Sequence, residues 1–450
     1  MKRFADRMDA ILSASVMALS AGLAIFSTAS VAEAGAPKVR VRILDGARSV
    51  AIRGFDLQFR SVNREDLKLQ QASALRSLAG RPSLSARSDR LSNWNLSCPN
   101  GGVVQATQTA ANGKYPLRNV FFAGPVRVES PAGFVTVAGK QYREKVFVHP
   151  IQTRHGWECE VVNHVDVENY LDGLVNAEFS AAWNREAIDA QVIAARTYAY
   201  YQMKLMTKRG SHFDLDSTIK DQVYDGSMRE DYRSRLSAIR TRGQVLKVSR
   251  SDEWPIKAYY HSTCGGTTEL PEVVWGTRMK GFSHRVTCPY CRNSPSFIWD
   301  VPLSAREIAL AIWKGARDLG PADREITRAW PRTWEKDLRE SILVDLRVSA
   351  QNASGRAEVV TSRWKNVGGK EFALDMPGTQ FRYWIGPSRL KSTVFQVLAA
   401  GKDQWVLRGR GFGHGVGLCQ WGAKTLGEQG KKAREILKFY YPDTVIARAW

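Results

Sequence analysis

The stretch that decides the fold runs from residue 165 to residue 206 and reads VDVENYLDGLVNAEFSAAWNREAIDAQVIAARTYAYYQMKLM. In its second half, Ile188, Val192, Ala195 and Ala199 recur at helical spacing on one face. The segment is also rich in alanine, whose small side chain lets a helix approach a sheet closely. We therefore expect a helix over residues 185–206 that packs against strands.

Strand patterns lie on both sides of this helix. Residues 39–59 alternate apolar and polar side chains in two runs, which predicts a β-hairpin, and short apolar runs between 120 and 148 predict further strands. Residues 341–349 and 357–362 predict two more strands around a turn. Strands, then a helix, then strands again indicate an α+β fold. We expect a single large domain with mixed, mostly antiparallel strands, an Ala-rich helix and a glycine-rich C-terminal loop.

Two shorter helices are predicted towards the C-terminus. Residues 304–317 begin with Ser304, and Glu307 three positions later completes the pattern of a capping box. Residues 433–439 form the second helix, behind the glycine-rich segment.

The amino terminus has the pattern of a secretory signal. Three basic residues lie within the first seven positions, residues 11–26 are apolar and uncharged, and Ala32 and Ala34 occupy the positions of a cleavage site. We predict that residues 1–34 are a signal peptide and that the protein is exported to the periplasm, the cell wall or the medium. An uncleaved membrane anchor is the alternative.

The rest of the chain divides by composition. Residues 35–60 read as the opening strands of the main domain, and residues 115–450 read as its body. Between them, residues 61–114 are rich in Ser, Arg, Asn, Gln and Gly with weak periodicity, which predicts a polar insertion or an exposed arm.

The formal net charge of +21 favours an anionic partner. Export argues against nucleic acid, and no second apolar segment follows the signal. An anionic wall polymer or a membrane surface fits better, while a basic surface that only confers solubility is the alternative.

The six cysteines raise the questions of disulfides and of metal. Disulfide connectivity cannot be derived from sequence. His261 and Cys264 are two ligands with two residues between them, and Cys288 and Cys291 repeat this spacing, which is typical of closed zinc sites with one nitrogen and three sulfur ligands. The alternatives are a Cys288–Cys291 disulfide or free thiols. Zinc here would be structural, because four protein ligands leave no open position for a peptidase or amidase reaction.

Glu178 is the carboxyl group best suited to acid–base chemistry. Its neighbours are Ala177 and Phe179, and no cation lies within five residues on either side. Apolar surroundings raise the pKa of a carboxyl group, as a general acid requires. Glu168 and Glu269 lack such flanks, and the alternative for Glu178 is a solvent-facing residue at a helix end.

Four stretches together resemble the stage II sporulation protein D (SpoIID)/amidase-enhancer family. They are residues 167–178 with their continuation at 190–199, then QVYDG at 222–226, YHSTCGGTTE at 260–269 and GRGFGHGVGLCQWGA at 409–423. The family includes lytic transglycosylases, which cut peptidoglycan between N-acetylmuramic acid and N-acetylglucosamine and leave a 1,6-anhydro end. It also includes enhancers of cell-wall amidases. The resemblance implies that Glu178 is the single acid/base of a lytic transglycosylase, with a non-catalytic glycan-binding enhancer as the alternative.

Five further residues are candidates for contact with glycan strands. Gln191 and Arg196 lie on the Ala-rich helix about 140° apart around its axis, so at most one of them faces a cleft beside the acid. His414 lies in a loop with four glycines between residues 411 and 417, which lets the backbone approach a bulky ligand. Trp421 can stack on a sugar face, and Gln420 can donate or accept hydrogen bonds. The partners that this implies are peptidoglycan strands and a cell-wall amidase.

Overall fold

The structure is a computed structural model and describes residues 35–62, 85–88, 90–110, 116–180, 182–320, 324–328, 330, 334–399, 401 and 403–450. The predicted signal peptide, residues 1–34, lies outside the described residues. Within the described ranges, no helix is both long enough and apolar enough to span a bilayer.

A large sheet forms the N-terminal half of the described chain. Its strands are β1 (Lys38–Ala47), β2 (Ser49–Phe55), β3 (Gln58–Ser61), β4 (Ser85–Arg87), β5 (Leu91–Asn100), β6 (Val103–Thr109), β7 (Pro116–Ala123), β8 (Val126–Val137), β9 (Lys140–Thr153), β10 (Gly156–Asp166) and β11 (Leu215–Asp216). The order is β11-β1-β10-β9-β8-β2-β5-β6-β7, with β3 beside β8 and β4 beside β3. All of these pairs are antiparallel except β1 with β11. The predicted α+β class with mostly antiparallel strands is confirmed.

The predicted exposed arm is wrong over residues 91–109. β5 and β6 are interior strands of the sheet, because Trp94, Leu96 and Cys98 alternate with polar residues and bury one face of β5. The many polar residues are the solvent face of the same strands. Residues 63–84, 89 and 111–114 of the predicted arm lie outside the described part of the chain.

Residues 39–59 form strands, as predicted, but these are β1, β2 and the start of β3, and the predicted hairpin pairing is absent from the described structure. β1 pairs with β10 and β11, whereas β2 pairs with β5 and β8. Alternation identifies a strand, but it does not say which neighbour that strand selects.

One disulfide closes the sheet upon itself. Cys98 of β5 is joined to Cys159 of β10, although three strands separate β5 from β10 in the sheet order. β5 also contacts β9 and β10 directly, so the bond crosses the interior of a folded-back sheet.

Helices and small sheets form the rest of the described chain. The helices are α1 (Val167–Glu178), α2 (Arg185–Lys208), α3 (Tyr232–Arg240), α4 (Pro271–Trp275), α5 (Ala305–Arg317), α6 (Trp334–Arg339), α7 (Gly378–Ile385), α8 (Gln420–Glu428) and α9 (Ala433–Tyr440). The remaining strands are β12 (Gln244–Lys247), β13 (Tyr260–His261), β14 (Ile298–Ser304), β15 (Ile342–Gln351), β16 (Ala357–Lys365), β17 (Glu371–Pro377), β18 (Phe395–Ala399), β19 (Gln404–Arg410), β20 (Leu418–Cys419) and β21 (Val445–Arg448).

Helix α2 is the centre of the second half of the structure. Its first turn is capped by the Asn184 side chain, which accepts from the Glu186 amide at 2.8 Å. Helices α1, α3, α8 and α9 pack around it. Ala190 and Ala194 are fully buried, so the predicted Ala-rich helix is confirmed and its small side chains permit this close packing.

Residues 298–410 form an insert with its own hydrophobic core. The core includes Trp299, Trp364 and Phe381, and it lies between the sheets β14-β19-β18 and β15-β16-β17 and the helices α5 and α7. The insert begins and ends on paired strands, since Ile298 lies opposite Arg410. The predicted capping box of α5 is present, and the predicted strands on either side of residue 353 are β15 and β16.

A short parallel pair of strands returns the chain to the main body. Tyr260 and His261 of β13 lie opposite Leu418 and Cys419 of β20. Two isolated bridges, Thr263 with Phe412 and Glu269 with Val416, extend the contact. The segments before and after the insert are therefore adjacent.

Candidate functional site

The four stretches whose sequences resemble the SpoIID/amidase-enhancer family lie close together in the structure. The backbone amide of Val223, in the second stretch, donates to Oε1 of Glu178 at the end of the first. The parallel pair β13–β20 joins the third stretch to the fourth, and the Trp421 amide donates to the Ser262 carbonyl at 3.1 Å.

Glu178 is the last residue of α1 and is partly buried. Burial raises the pKa of its carboxyl group from 4.5 to about 7, against the opposing effect of the Val223 amide. Among the described residues, no other hydrogen bond and no ion pair reaches this carboxylate. It is therefore a carboxyl group that can hold a proton near neutral pH and release it.

A hydrogen-bonded chain of three side chains lies against Glu178. The Tyr170 hydroxyl donates to Oε1 of Gln222 at 3.0 Å, and Nε2 of Gln222 donates to the Tyr260 hydroxyl at 2.9 Å. Burial, followed by the nearby Glu178 charge, raises the pKa of both tyrosines well above 10. The predicted site residues do not include Gln222, although it opens the QVYDG stretch. Its contacts depend on how three separate segments pack.

An aromatic row lies beside the acid. Phe179 contacts Trp183 with ring centres 5.0 Å apart, and Trp183 contacts Trp421 at 5.1 Å. Trp421 is partly exposed at the start of α8, while its predecessor Gln420 is buried. Trp421 is thus connected through Trp183 to the residue that follows Glu178, and Trp183 was not among the predicted site residues.

Arg196 does not face a cleft. Its guanidinium is fully buried, contacts Glu168 through a 2.6 Å ion pair, and also donates to Thr241 and to the carbonyl of Ala238. The prediction that Arg196 contacts substrate is therefore corrected: it anchors α2 to the start of α1 and to α3. Its partner Glu168 lies in the first helical turn of α1.

Gln191 is also fully buried, but it is not anchored. Neither atom of its side-chain amide has a hydrogen-bond partner among the described residues. The angular separation of Gln191 and Arg196 is consistent with these two environments.

The two histidines form a neutral pair beside the glycine loop. Nδ1 of His261 donates to the Val416 carbonyl at 3.0 Å, and Nδ1 of His414 accepts from the Val416 amide at 3.0 Å. Their rings are 5.5 Å apart, and Trp275 lies 5.0 Å from His414. Burial lowers the pKa of His261 to about 4 and lowers that of His414 well below 6.5. At neutral pH these rings are therefore uncharged hydrogen-bonding groups.

The glycine loop closes over an arginine from the insert. Gly415 has a φ of +86°, and a Cβ there would lie 2.0 Å from Nη2 of Arg356. The same guanidinium donates to the carbonyls of Cys264 at 3.1 Å and Thr267 at 3.3 Å. Gly417 is equally constrained, because its Cβ would lie 2.0 Å from the carbonyl oxygen of Tyr259.

Four buried cysteines form a cluster behind the histidines. The sulfur atoms of Cys264, Cys288, Cys291 and Cys419 all lie within 4.8 Å of one another, and none of the four is in a disulfide. Four thiolates around one zinc ion at about 2.3 Å would be about 3.8 Å apart, so the residues fit that ion.

The composition of the cluster corrects the predicted ligand set. Cys264, Cys288 and Cys291 come together as expected, but the fourth member is Cys419 in place of His261. His261 lies opposite Cys419 in the parallel pair, yet its Nδ1 is engaged with Val416. The sequence signal for Cys419 is weak, because it has no partner at a short spacing and reaches the cluster only through β20.

The fold and the site define an α+β protein in which the partly buried Glu178 lies next to an aromatic row and four cysteines form a cluster. Residues 155–247 match the family model of the stage II sporulation protein SpoIID. This region contains Glu178 and the helices α1, α2 and α3. The match gives the chain a SpoIID domain over these residues, and its relatives support the SpoIID/amidase-enhancer family.

Three relatives show the extent of the similarity. An uncharacterized protein of Brachyspira hyodysenteriae is 30% identical over 281 residues, covering 62% of this chain and 66% of that protein. The amidase enhancer of Bacillus subtilis is 28% identical over 303 residues, covering 61% of this chain and 40% of the enhancer. The stage II sporulation protein D of Bacillus subtilis is 26% identical over 303 residues, covering 64% of this chain and 76% of that protein. The chain therefore spans less than the full length of each relative.

Proposed function

We propose that the protein is a lytic transglycosylase that cleaves peptidoglycan glycan strands between N-acetylmuramic acid and N-acetylglucosamine. The observation that carries this proposal is the carboxyl group of Glu178, whose pKa is raised by burial to about 7 beside an aromatic row. Hydrolases of glycans use two carboxyl groups. A transglycosylase needs only one, because the sugar's own 6-hydroxyl replaces water.

Of the other acidic residues near the site, Asp172 on α1 also has a pKa that burial raises to about 7, whereas three others are already engaged. Glu168 is bound to Arg196, while Glu269 and Asp221 each accept at least three hydrogen bonds. A carboxylate whose oxygens already accept from several neighbouring donors is not available to a substrate. Glu178 keeps one oxygen, Oε2, without such a donor.

The two proton transfers both use this oxygen. Oε1 accepts from the Val223 amide, so the transferable proton resides on Oε2. As an acid, Glu178 protonates the glycosidic oxygen; as a base, the resulting carboxylate removes the proton from the 6-hydroxyl, which attacks the anomeric carbon. The bond to the leaving sugar breaks, the 1,6-anhydro ring forms, and the carboxyl group is regenerated. The buried tyrosines stay protonated and keep the surroundings of Glu178 uncharged.

The test compares wild type, Glu178→Gln and Glu371→Gln on peptidoglycan, with products identified by mass. Glu371 is an exposed acid on β17 and serves as the control. We expect 1,6-anhydro ends from wild type and from Glu371→Gln, and a loss of at least about 10²–10⁴-fold in Glu178→Gln. Equal cleavage by Glu178→Gln would contradict the assignment, and reducing ends labelled from heavy-oxygen water would indicate a hydrolase.

A non-catalytic enhancer of a wall amidase is the second candidate. The observation in its favour is the similarity to the amidase enhancer of Bacillus subtilis. In that case, wild type and Glu178→Gln bind glycan equally, neither cleaves it, and both stimulate an added amidase to the same extent.

We propose that the four-cysteine cluster holds one structural zinc ion. Thiolate ligands from Cys264, Cys288, Cys291 and Cys419 fill a tetrahedral sphere and leave no position for water. Such an ion would connect the segment after β13 to Cys419, which precedes Gln420 at the start of α8. Its role would be to hold in place the two segments that carry Tyr260 and Trp421.

Metal analysis tests the zinc proposal. We expect about one zinc per chain in the purified protein, a large loss in Cys419→Ser, and retention in His261→Gln. Retention in Cys419→Ser with loss in His261→Gln would restore the nitrogen-containing ligand set. A Cys288–Cys291 disulfide in peptide mapping, without metal, would contradict the proposal.

We also propose that the protein acts outside the cytoplasm, at the anionic cell wall. The signal pattern, the +21 charge and the Cys98–Cys159 disulfide support this location. Intact-mass measurement of the exported protein tests it: cleavage between Ala34 and Gly35 is expected, and recovery of the protein only in the cytoplasm would contradict it.

A further inference from the structure

A lysine lies over three tyrosine rings close to the candidate site. Nζ of Lys257 is 5.2 Å from the ring centres of Tyr198 and Tyr259 and 5.9 Å from that of Tyr201. The aromatic faces stabilise the ammonium group, but they supply no hydrogen-bond acceptor.

No group in the described chain neutralises this lysine by contact. Nζ of Lys257 makes no hydrogen bond and no ion pair with any described residue. The charge that faces it is Asp221, but that carboxylate accepts from the Tyr198 hydroxyl at 2.7 Å and from Gln202 at 2.9 Å. Burial lowers the pKa of Lys257 from 10.5. A partly desolvated cation without a partner gains more from an anionic ligand than a fully hydrated one does.

The lysine lines a cavity of about 370 Å³ with an excess of positive charge. Arg278 and Lys280 line the same cavity, are exposed, and form no ion pair with described residues. Of the two acids in the wall, Glu253 pairs with Lys204 at 3.1 Å and Asp252 accepts from the Ser249 amide.

The cavity also has an aromatic wall. Tyr201 and Trp254 both line it, and their rings meet edge to face with centres 5.8 Å apart. Aromatic walls with a few polar groups are typical of ligand sites, and a sugar ring packs its C–H face against such a surface.

Two short paths connect this cavity to the candidate site. Tyr259 stacks on Trp275 at 4.4 Å, and Trp275 contacts His414 at 5.0 Å. Asp221, which faces Lys257, is two residues before Val223, whose amide binds Glu178. Two residues of chain span roughly 7 Å, which is comparable with the length of one sugar unit.

We propose that this cavity is a subsite for a sugar that carries a carboxylate: the ring packs against Trp254 and Tyr201, and the carboxylate binds Lys257 between Arg278 and Lys280. The proposal rests on the proposed function and makes it more specific, because it gives the glycan strand a second point of attachment. Peptidoglycan offers such a carboxylate from two sources: the lactyl group of a sugar without a stem peptide, or the stem peptide itself.

The experiment measures binding by calorimetry to Glu178→Gln protein, in which cleavage is prevented. The ligands are a tetrasaccharide of alternating N-acetylglucosamine and N-acetylmuramic acid, its lactyl methyl ester, the same tetrasaccharide with stem peptides, and polyglycerol phosphate. Lys257→Met removes the charge and keeps the side-chain length, Lys257→Arg restores the charge, and Lys365→Met removes an exposed charge from the insert as a control.

We expect Lys257→Met to weaken binding of the carboxylate ligand about tenfold or more, as for a lost hydrogen bond between charged groups. Lys257→Arg should recover most of this loss, and Lys365→Met should have no effect. The methyl ester should bind Glu178→Gln and the Lys257→Met double variant equally. A tenfold loss for the peptide-free ligand identifies the lactyl source, and a loss only for the peptide ligand identifies the stem peptide.

Three outcomes would overturn the subsite. If the carboxylate ligands bind equally well with and without the Lys257 side chain, the subsite is ruled out. The proposed function still stands in that case, provided that the protein binds glycan and the wild type cleaves it. A loss seen with polyglycerol phosphate but not with either glycan would assign the cavity to a phosphate polymer of the wall. If Glu178→Gln binds no glycan at all and wild type cleaves none, both proposals fail together.

Discussion

The pKa of Glu178 has a consequence for stability that can be measured without any substrate. Burial raises the pKa of this carboxyl group from 4.5 in the unfolded chain to about 7 in the folded one. Between these values the folded state binds the proton more tightly than the unfolded state, so the free energy of unfolding falls as the pH rises. The loss is complete above about pH 7, and it is absent below about pH 4.5.

The magnitude follows from the two pKa values. Each pH unit between 4.5 and about 7 corresponds to about 1.36 kcal/mol, so the deprotonated carboxylate costs about 3 kcal/mol at pH 8.5. Glu178→Gln removes the titrating group, while its amide oxygen can still accept from Val223. We therefore expect Glu178→Gln to be more stable than wild type by about 3 kcal/mol at pH 8.5 and by less than about 1 kcal/mol at pH 5.

Urea unfolding at pH 5 and pH 8.5, followed by tyrosine and tryptophan fluorescence, measures this difference. Glu371→Gln is the matched control, and its effect should be small at both values because that side chain is exposed. The buried, proton-holding acid would be refuted if the difference in free energy of unfolding between Glu178→Gln and wild type were the same at both pH values. It would also be refuted if the variant were less stable than wild type at pH 8.5. The refutation would hold even if the variant were inactive.

Four further outcomes are expected. The cleavage rate should fall as the pH rises through about 7, because only the protonated Glu178 can donate, and a pH–rate profile checks this. Arg196→Met should lower the free energy of unfolding by about 3–5 kcal/mol in urea titrations, because it leaves a buried carboxylate unpaired. Trp421→Ala should raise KM for glycan with a smaller change in kcat, whereas Trp421→Phe should retain most binding. Cys98→Ala opens a loop of 61 residues and should lower the free energy of unfolding by about 4 kcal/mol relative to oxidised wild type. Urea unfolding should show no difference between the variant and reduced wild type.

Local patterns in the sequence predicted the features that neighbouring residues determine. The capping box at Ser304 and the apolar flanks of Glu178 are examples, and both correspond to what the structure contains. The Ala-rich face of α2 is a third. In each case the pattern itself lies within a few residues along the chain, so periodicity and composition carry the information.

Features that depend on long-range pairing were missed. Cys419 enters the cysteine cluster because β20 runs parallel to β13, and no spacing in the sequence encodes that pairing. The angular separation of Gln191 and Arg196 around α2 was predictable. Which of the two would meet Glu168 was not, because that depends on how α1 packs against α2. β5 was mistaken for part of an arm because its solvent face is polar, and only its partners β2 and β6 place it inside the sheet.

The insert of residues 298–410 leaves the main body and returns to it at nearly the same point, as a grafted segment would. Its two ends are neighbours, and the backbones on either side of the junction already meet, since the Gly411 amide donates to the Phe297 carbonyl at 3.0 Å. Such a graft can be lengthened, trimmed or exchanged in evolution without re-routing the host chain. This insert also contributes to the glycine loop, because the Arg356 guanidinium occupies the space that Gly415 leaves open. A lineage that lost the graft would need a new group to fill that space, and position 415 is where such compensation should be sought.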